Sequence, residues 1–150
     1  MSSDHRVVLR PAEPEDVEAL AAIQVAARAA APMPASIHPE GEIAAFLTGR
    51  LTEDELWVAE TDGETLAYAR FTRTWLDDLY VHPRVQGQGI GGALLDLVLS
   101  VRPQGLGLYV FESNEPARRF YRTRGFLVAE RSDGFANEER QPDLRMEWMP

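Results

Sequence analysis

The apolar and polar positions of this chain alternate between a period of two and a period near 3.6, which separates strands from helices. The apolar run 6–10 reads as a short strand. Pro14 then stands where a helix would begin, with Glu15, Asp16 and Glu18 in the first turn, where the helix dipole favours acid. Val17, Leu20, Ile23 and Ala27 supply one apolar face, and Ala31-Pro-Met-Pro-Ala breaks the helix. A second helix spans 40–51 through Ile43, Phe46, Leu47 and Leu51. Strands follow at 56–61 and 65–72, on either side of Asp62-Gly63. That dipeptide predicts a tight hairpin, because both central residues must tolerate positive φ.

The second half continues with a strand at 75–81 and a helix at 90–101, the latter with Leu94, Leu95, Val98 and Val101 inward. Pro103 and Gly105 end that helix. A strand at 106–111 precedes a short helix at 115–124, capped by Asn114 or Ser113 and stopped by Gly125. Strands at 127–131 and 144–149 close the chain around a polar loop, 132–143. The order is β-α-α-β-β-β-α-β-α-β-β, with no repeat, linker or low-complexity segment. At 150 residues this predicts one domain over 1–150.

Composition narrows the chemistry. Apolar residues make up 45% and charged residues 26%, as in a soluble globular protein. No apolar run approaches the ~18 residues of a membrane span. Met1-Ser-Ser-Asp-His-Arg carries no apolar signal-peptide core, so the expectation is a cytoplasmic protein without a membrane partner. With no cysteine there is no disulfide, thiolate metal site or cysteine nucleophile. His5, His38 and His82 lack metal-ligand spacing, so no metal is expected. The net charge of −9 argues against a nucleic-acid partner and suits a cationic substrate. All 15 basic residues are arginine, which coding bias explains.

The stretch Leu76-Asp-Asp-Leu-Tyr-Val-His-Pro-Arg-Val-Gln-Gly-Gln-Gly-Ile-Gly-Gly92 concentrates the signal. A strand runs into a glycine-rich turn that opens a helix. Such a turn presents bare backbone N–H groups at a positive dipole end, a site for phosphate or pyrophosphate. Gly87-x-Gly89-x-x-Gly92 matches the dinucleotide-binding spacing, and Glu112 ends the following strand. Three features oppose that reading. His82–Gln86 intervene between strand and glycines, the motif lies past mid-chain, and too little chain follows for a second nucleotide-binding half.

The grouping Gln86-x-x-Gly89-x-Gly91 serves better, together with Asn114-x-x-Ala117-x-x-Phe120-Tyr121-x-x-x-Gly125-Phe126. In these two segments, and in its whole element order, the chain resembles the GNAT superfamily of N-acetyltransferases. The resemblance implies an α/β fold: a mixed, mostly antiparallel sheet of about seven strands flanked by four helices, splayed between its fourth and fifth strands. It implies acetyl-CoA as co-substrate, with Leu79, Tyr80 and Val81 bonding the pantetheine arm through their backbone. Gln86, Gly87, Gln88, Gly89, Ile90 and Gly91 would wrap the pyrophosphate, with Gly92 as an extra contact or a close-packing residue. A Cβ in such a loop would hold a phosphate off and penalise positive φ.

By the same resemblance Asn114 would hydrogen-bond the pantetheine arm, with helix capping as the alternative, and Ala117 would be small beside the cofactor. Tyr121 would donate a proton to the departing thiolate, which a phenol can do at neutral pH. Arg84, and Arg118, Arg119, Arg122 and Arg124 on the short helix, would steer the anionic cofactor or simply face solvent. Asp77 and Asp78 lie on the strand entering the site. Alternation would send one of them into the pocket, unless a bulge intervenes. That carboxylate would bind a cationic amine or accept its proton, and Glu112 is a weaker base candidate. An alkylamine is neutral only about once in 2,500 molecules at pH 7, and attack needs the neutral form. The acceptor pocket is expected from 32–38 and 132–143, with Met33, Ile37 and His38 lining it and Glu138 and Glu139 as an acidic rim.

These residues support direct acetyl transfer from acetyl-CoA to a primary amine of a small molecule or peptide, without an acyl-enzyme. The expected assembly is a monomer or homodimer. The competing readings are a non-catalytic acyl-CoA sensor and an acceptor that offers a hydroxyl.

Overall fold

The computed structural model describes residues 6–150; Met1–His5, where the leader reading and His5 fall, lie outside them. Seven strands form one sheet in the order β1-β2-β3-β4-β5-β7-β6. They are β1 (Val7–Pro11), β2 (Glu55–Thr61), β3 (Glu64–Phe71), β4 (Trp75–Val81), β5 (Leu106–Phe111), β6 (Leu127–Ser132) and β7 (Asp143–Trp148). The helices are α1 (Val17–Ala30), α2 (Glu40–Arg50), α3 (Ile90–Val101) and α4 (Glu115–Thr123). The element order is the one read from the sequence. Two short 3-10 turns, Pro14–Asp16 and Pro83–Val85, add to it.

Local chemistry accounts for most boundaries. Asp62 and Gly63 both take positive φ, 53° and 78°, as the tight turn between β2 and β3 requires. Pro14 opens a 3-10 turn rather than α1 itself. There the Asp16 carboxylate accepts from the Glu13 N–H at 2.7 Å and from Arg10 at 2.8 and 2.9 Å. Asn114 caps α4 by accepting the Ala117 N–H.

Two apolar layers flank the sheet. α1 and α2 bury Leu20, Ile23, Ile43 and Leu47 against Leu56, Val58 and Tyr68 on one face. On the other face α3 buries Ile90, Leu94, Leu95 and Val98 against Ala67, Ala69, Phe71 and Leu108. α4 joins this second layer through Ala117, Phe120 and Tyr121. The apolar stripe of α3 is therefore the inward face its periodicity predicts.

The sheet is antiparallel except between β4 and β5. Those two strands run parallel and pair only at Trp75↔Gly107 and Leu76↔Leu108. Beyond Leu76 they diverge, and the split opens the sheet between its two halves. A side chain on Gly107 would overlap the Trp75 ring, so the Trp75↔Gly107 rung depends on a bare backbone there.

Candidate functional site

The split leaves one edge of β4 without a strand partner. His82 donates its N–H to the Leu66 carbonyl at 2.8 Å, which fixes the parity of the β3–β4 ladder. Antiparallel ladders alternate bonded and non-bonded pairs. Tyr80 opposite Tyr68 is thus a bonded pair, and the backbone groups of Leu79 and Val81 turn toward the split. Of the three residues whose backbone the sequence proposed, Leu79 and Val81 present it there. Tyr80 instead spends its amide and carbonyl on β3 and contributes its side chain. Gln86 folds back, and its Nε2 donates to the Val81 carbonyl at 3.1 Å.

A cavity of about 900 Å³ fills the split and continues over the glycine loop. Gly87 and Gly89 take left-handed φ of 80° and 84°, and a Cβ at either would meet nothing within 4 Å. Ala93 makes the first helical bond, to Gly89. The N–H groups of Ile90, Gly91 and Gly92 therefore have no acceptor within α3. Open space above a bare loop and a free helix N-terminus is a geometry that fits a pyrophosphate. Gln86, Gly87, Gly89, Ile90, Gly91 and Gly92 all line the cavity; Gln88 is exposed on the outer side of the loop.

Of the arginines offered for the cofactor, Arg124 lines the cavity. Its guanidinium lies over the Phe120 ring at 5.0 Å and fills the space a Cβ on Gly92 would take. Arg84 pairs with Glu64, Arg119 with Glu115, and Arg118 donates to the Glu112 carbonyl at 3.0 Å. Glu112 is bound to Arg131, outside the cavity.

Tyr121 lies on the opposite wall, its ring edge-on to Phe120 and Phe126 at 5.3 and 5.5 Å. Burial pushes its phenol well above the ordinary tyrosine value, and Tyr80 and Asp78 add to the rise. Burial also lifts the Tyr80 phenol, to about 12, with Asp78 adding and the Arg28 guanidinium opposing. Both phenols are protonated at every physiological pH. Asn114, buried, spends its Oδ1 on the α4 cap, and its Nδ2 reaches only the weak acceptor Sδ of Met33 at 3.5 Å.

Asp77 and Asp78 differ from the expectation that alternation sends one of them to the pocket. The ladder slips between Arg70 and Phe71, which pair with Asp78 and Leu76, so Asp77 is the extra residue of a bulge. Both carboxylates consequently line the cavity and approach Arg70. Asp78 accepts from Arg70 Nε at 2.9 Å and lies 3.2 Å from the Tyr68 hydroxyl. Asp77 stays 4.0 Å from Arg70, and burial lifts its carboxyl above the usual aspartate value, opposed by Arg70 and aided by Asp78.

Of the three acceptor candidates, Met33 lines the cavity; Ile37 and His38 sit outside it. Ile37 faces solvent, and His38 is drawn to Glu42 and Glu138, each at 3.1 Å. Glu139 does line the cavity, held by Arg28 at 3.0 Å. Sequence reading passed over Arg28 and Gln24, which line the cavity. Their signal is positional: they follow Leu20 and Ala27 on the apolar stripe of α1, where a polar residue calls for a buried partner. Gln24 finds the Tyr68 hydroxyl at 3.0 Å, and Arg28 finds Pro34 and Glu139.

Comparison with known proteins points the same way. Residues 52–128 match the family model described as an acetyltransferase (GNAT) domain. The chain is 39% identical over 93 residues to the peptidyl-lysine N-acetyltransferase YjaB of Salmonella typhimurium. That match covers 61% of this chain and 63% of the relative, so it spans under two thirds of the relative's length. The solution structure of apo YjaB from Escherichia coli superposes with a TM-score of 0.76 at 28% identity, covering 95% of this chain and 97% of that one. YncA of Salmonella typhimurium, solved with its cofactor acetyl-CoA, shares the fold at a TM-score of 0.76 and 22% identity, over 96% of this chain and 94% of its own. A split seven-stranded sheet, a bare glycine loop heading α3 and a family match over half the sequence converge: this chain belongs to the GNAT acetyltransferase family.

Proposed function

We propose that this protein is an N-acetyltransferase that uses acetyl-CoA and passes the acetyl group directly to a primary amine. The observation that carries the reading is the split itself. It turns the backbone of Leu79 and Val81 toward one cavity that the α3 N-terminus, Tyr121 and Asp77 also line. The chain's likeness to peptidyl-lysine N-acetyltransferases favours the amine of a lysine side chain as acceptor.

Acetyl-CoA, when bound, supplies an activated thioester carbonyl. Gly87, Gly89 and the free N–H groups of Ile90, Gly91 and Gly92 hold the pyrophosphate, with Arg124 as a nearby cation. Leu79 and Val81 bind the arm in strand-like fashion, and a free N–H on this edge stabilises charge growing on the carbonyl oxygen. Asp77 takes a proton from the incoming ammonium, through water where needed. Its raised pKa makes it a better base than an ordinary aspartate. The amine nitrogen then bonds the carbonyl carbon as the carbon–sulfur bond breaks. Tyr121 gives its proton to the leaving sulfur, and its elevated pKa keeps that proton in place until then. The nitrogen's second proton, lost as the amide forms, returns through water to the Tyr121 oxygen.

The test is thiol release from acetyl-CoA in the presence of a pooled amine library, read together with mass shifts of the amines. A +42 Da product and a rate that falls in Tyr121→Phe, with CoA affinity retained, support the reading. Stabilisation by acetyl-CoA without release from any amine favours a sensor instead.

A further inference from the structure

A second, smaller cavity of about 400 Å³ lies beside the first, under the loop between β6 and β7. Tyr109 of β5, Arg145 and Asp143 of β7, Glu130 and Ser132 of β6, and Asn137 of the loop line it. Strand register explains this grouping. Tyr109 pairs with Arg145 and Arg145 with Glu130, so one row of side chains crosses three strands. Ser132 pairs with Asp143 in the row nearer the loop. Paired residues point to one face of a sheet, and none of these three strands contributes to the α1–α2 apolar layer. Tyr109, Asn137 and Asp143 line both cavities, so the smaller one is a side chamber of the larger.

The chamber's chemistry selects its occupant. It carries the carboxylates of Glu130 and Asp143 against a single cation, Arg145. That cation is already held by Glu130 at 3.2 Å and by Glu147. The Tyr109 ring is 61% exposed and is braced by Trp75 at a centroid distance of 4.8 Å. An exposed aromatic face beside spare negative charge attracts a cation. The acetylated amine is not that cation, since Asp77 faces it in the first cavity. Because the chamber shares Tyr109, Asn137 and Asp143 with the first cavity, a side chain close in sequence to the acetylated residue of an extended acceptor reaches it.

We infer that this chamber holds a lysine or arginine side chain of a polypeptide acceptor, within two positions of the residue that is acetylated. The inference rests on the acetyltransferase reading and adds to it a preference among acceptors. A basic side chain lays its stem on Tyr109 and its charge toward Asp143 and Glu130.

The experiment uses N-terminally blocked peptides with one acceptor lysine, differing only in arginine or glutamate beside it. A capped single lysine serves as the minimal acceptor, and a polyamine as a non-peptide one. The arginine peptide is expected to exceed the glutamate peptide in kcat/KM by about tenfold or more, through KM. Glu130→Lys, on the exposed edge strand and outside the first cavity, is expected to erase that difference and leave the capped lysine unchanged. Equal values for the two peptides overturn the inference. So does turnover of the polyamine with neither peptide, or a Glu130→Lys loss as large for the capped lysine as for the arginine peptide. No thiol release with any amine overturns the acetyltransferase reading, and the inference falls with it.

Discussion

Asp78 holds the Arg70 guanidinium at 2.9 Å, and this bond divides the labour of two adjacent carboxylates. Asp78 is committed to a buried ion pair, whereas Asp77, raised on the bulge, keeps its charge for the cavity. Asp77→Asn is therefore expected to lower kcat by about 10²-fold or more, the usual worth of a positioned base, with little change in Tm. Asp78→Asn is expected to cost about 1–3 kcal/mol of stability, because it takes one of two close carboxylates from the buried Arg70, which keeps Asp54 at 2.9 Å. The acidic limb of kcat/KM should lie above the ordinary aspartate range, since activity rises as Asp77 loses its proton, and it should vanish in Asp77→Asn. Thermal melts beside steady-state rates check this. Equal loss of Tm in the two variants would remove the distinction.

Asp54 anchors the other end of the same network. Its carboxylate accepts from Arg50 at 2.7 and 2.9 Å and from Arg70 at 2.9 Å, and its side chain is only 1% exposed. Arg50 first, then Arg70, hold its pKa below the ordinary value of 3.8, against the opposing pull of burial. The folded chain thus binds that proton more weakly than the unfolded chain. The stability this confers is complete above about pH 4 to 5 and is lost as pH falls through the lowered folded value. Asp16, held down by Arg10, behaves alike. Tm should stay level from pH 7 to pH 5 and fall below about pH 4. Asp54→Asn should lower Tm at pH 7, by about 3–5 kcal/mol in stability, and make the acid fall shallower. Calorimetry across that range decides the point.

Elements set by neighbours in sequence were readable from the sequence. The Asp62-Gly63 turn, the α3 stripe and the Asn114 cap each depend on residues within a few positions. The catalytic candidates came from contiguous motifs, and the cavity does gather Tyr121, the glycine loop and both aspartates. What resisted reading depends on distant partners. No local signal announces that β7 inserts between β5 and β6, or that β4 and β5 part after Leu76. The bulge at Asp77 arises from pairing with β3, so alternation along β4 alone misplaced one carboxylate. Arg28 meets Glu139 and His38 meets Glu138 across roughly two thirds of the chain, and those pairings decide which loop residues face the cavity.

Gly92 and Arg124 show what one such contact does for ligand binding. A Cβ at Gly92 would overlap the Arg124 guanidinium, and the flexible side chain rather than the backbone would yield. Gly92→Ala is expected to swing Arg124 off the α3 N-terminus and weaken CoA binding by about tenfold, the loss of one charge-assisted hydrogen bond. Helix propensity favours alanine over glycine by about 1 kcal/mol, so Tm should hold or rise while affinity falls. Arg124→Ala should weaken CoA to a similar degree, and the double variant should add little to either single change. Calorimetric titration with CoA tests all three; additive losses would mean that the two residues act separately.

His38 carries a charge-dependent tie between the loop preceding α2 and the β6–β7 loop. Its Nε2 lies 3.1 Å from Glu138 and its Nδ1 3.1 Å from Glu42. Glu138 first, then Glu42, raise the imidazole above its ordinary 6.5. A histidine whose folded pKa is raised contributes its tie fully below the unfolded value and loses it as pH climbs through the folded one. Proton NMR should therefore find His38 titrating above 6.5. Glu138→Gln should bring it down further than Glu42→Gln. The tie is solvent-exposed, so Glu138→Gln should leave Tm nearly unchanged. Its effect belongs to the mouth of the cavity: as His38 deprotonates, the loop preceding α2 and the β6–β7 loop lose their shared charge contact. Acceptor KM in the native protein should then drift upward through that titration, and in Glu138→Gln it should be flat. A KM that tracks pH identically in both would show that the loops do not answer to this pair.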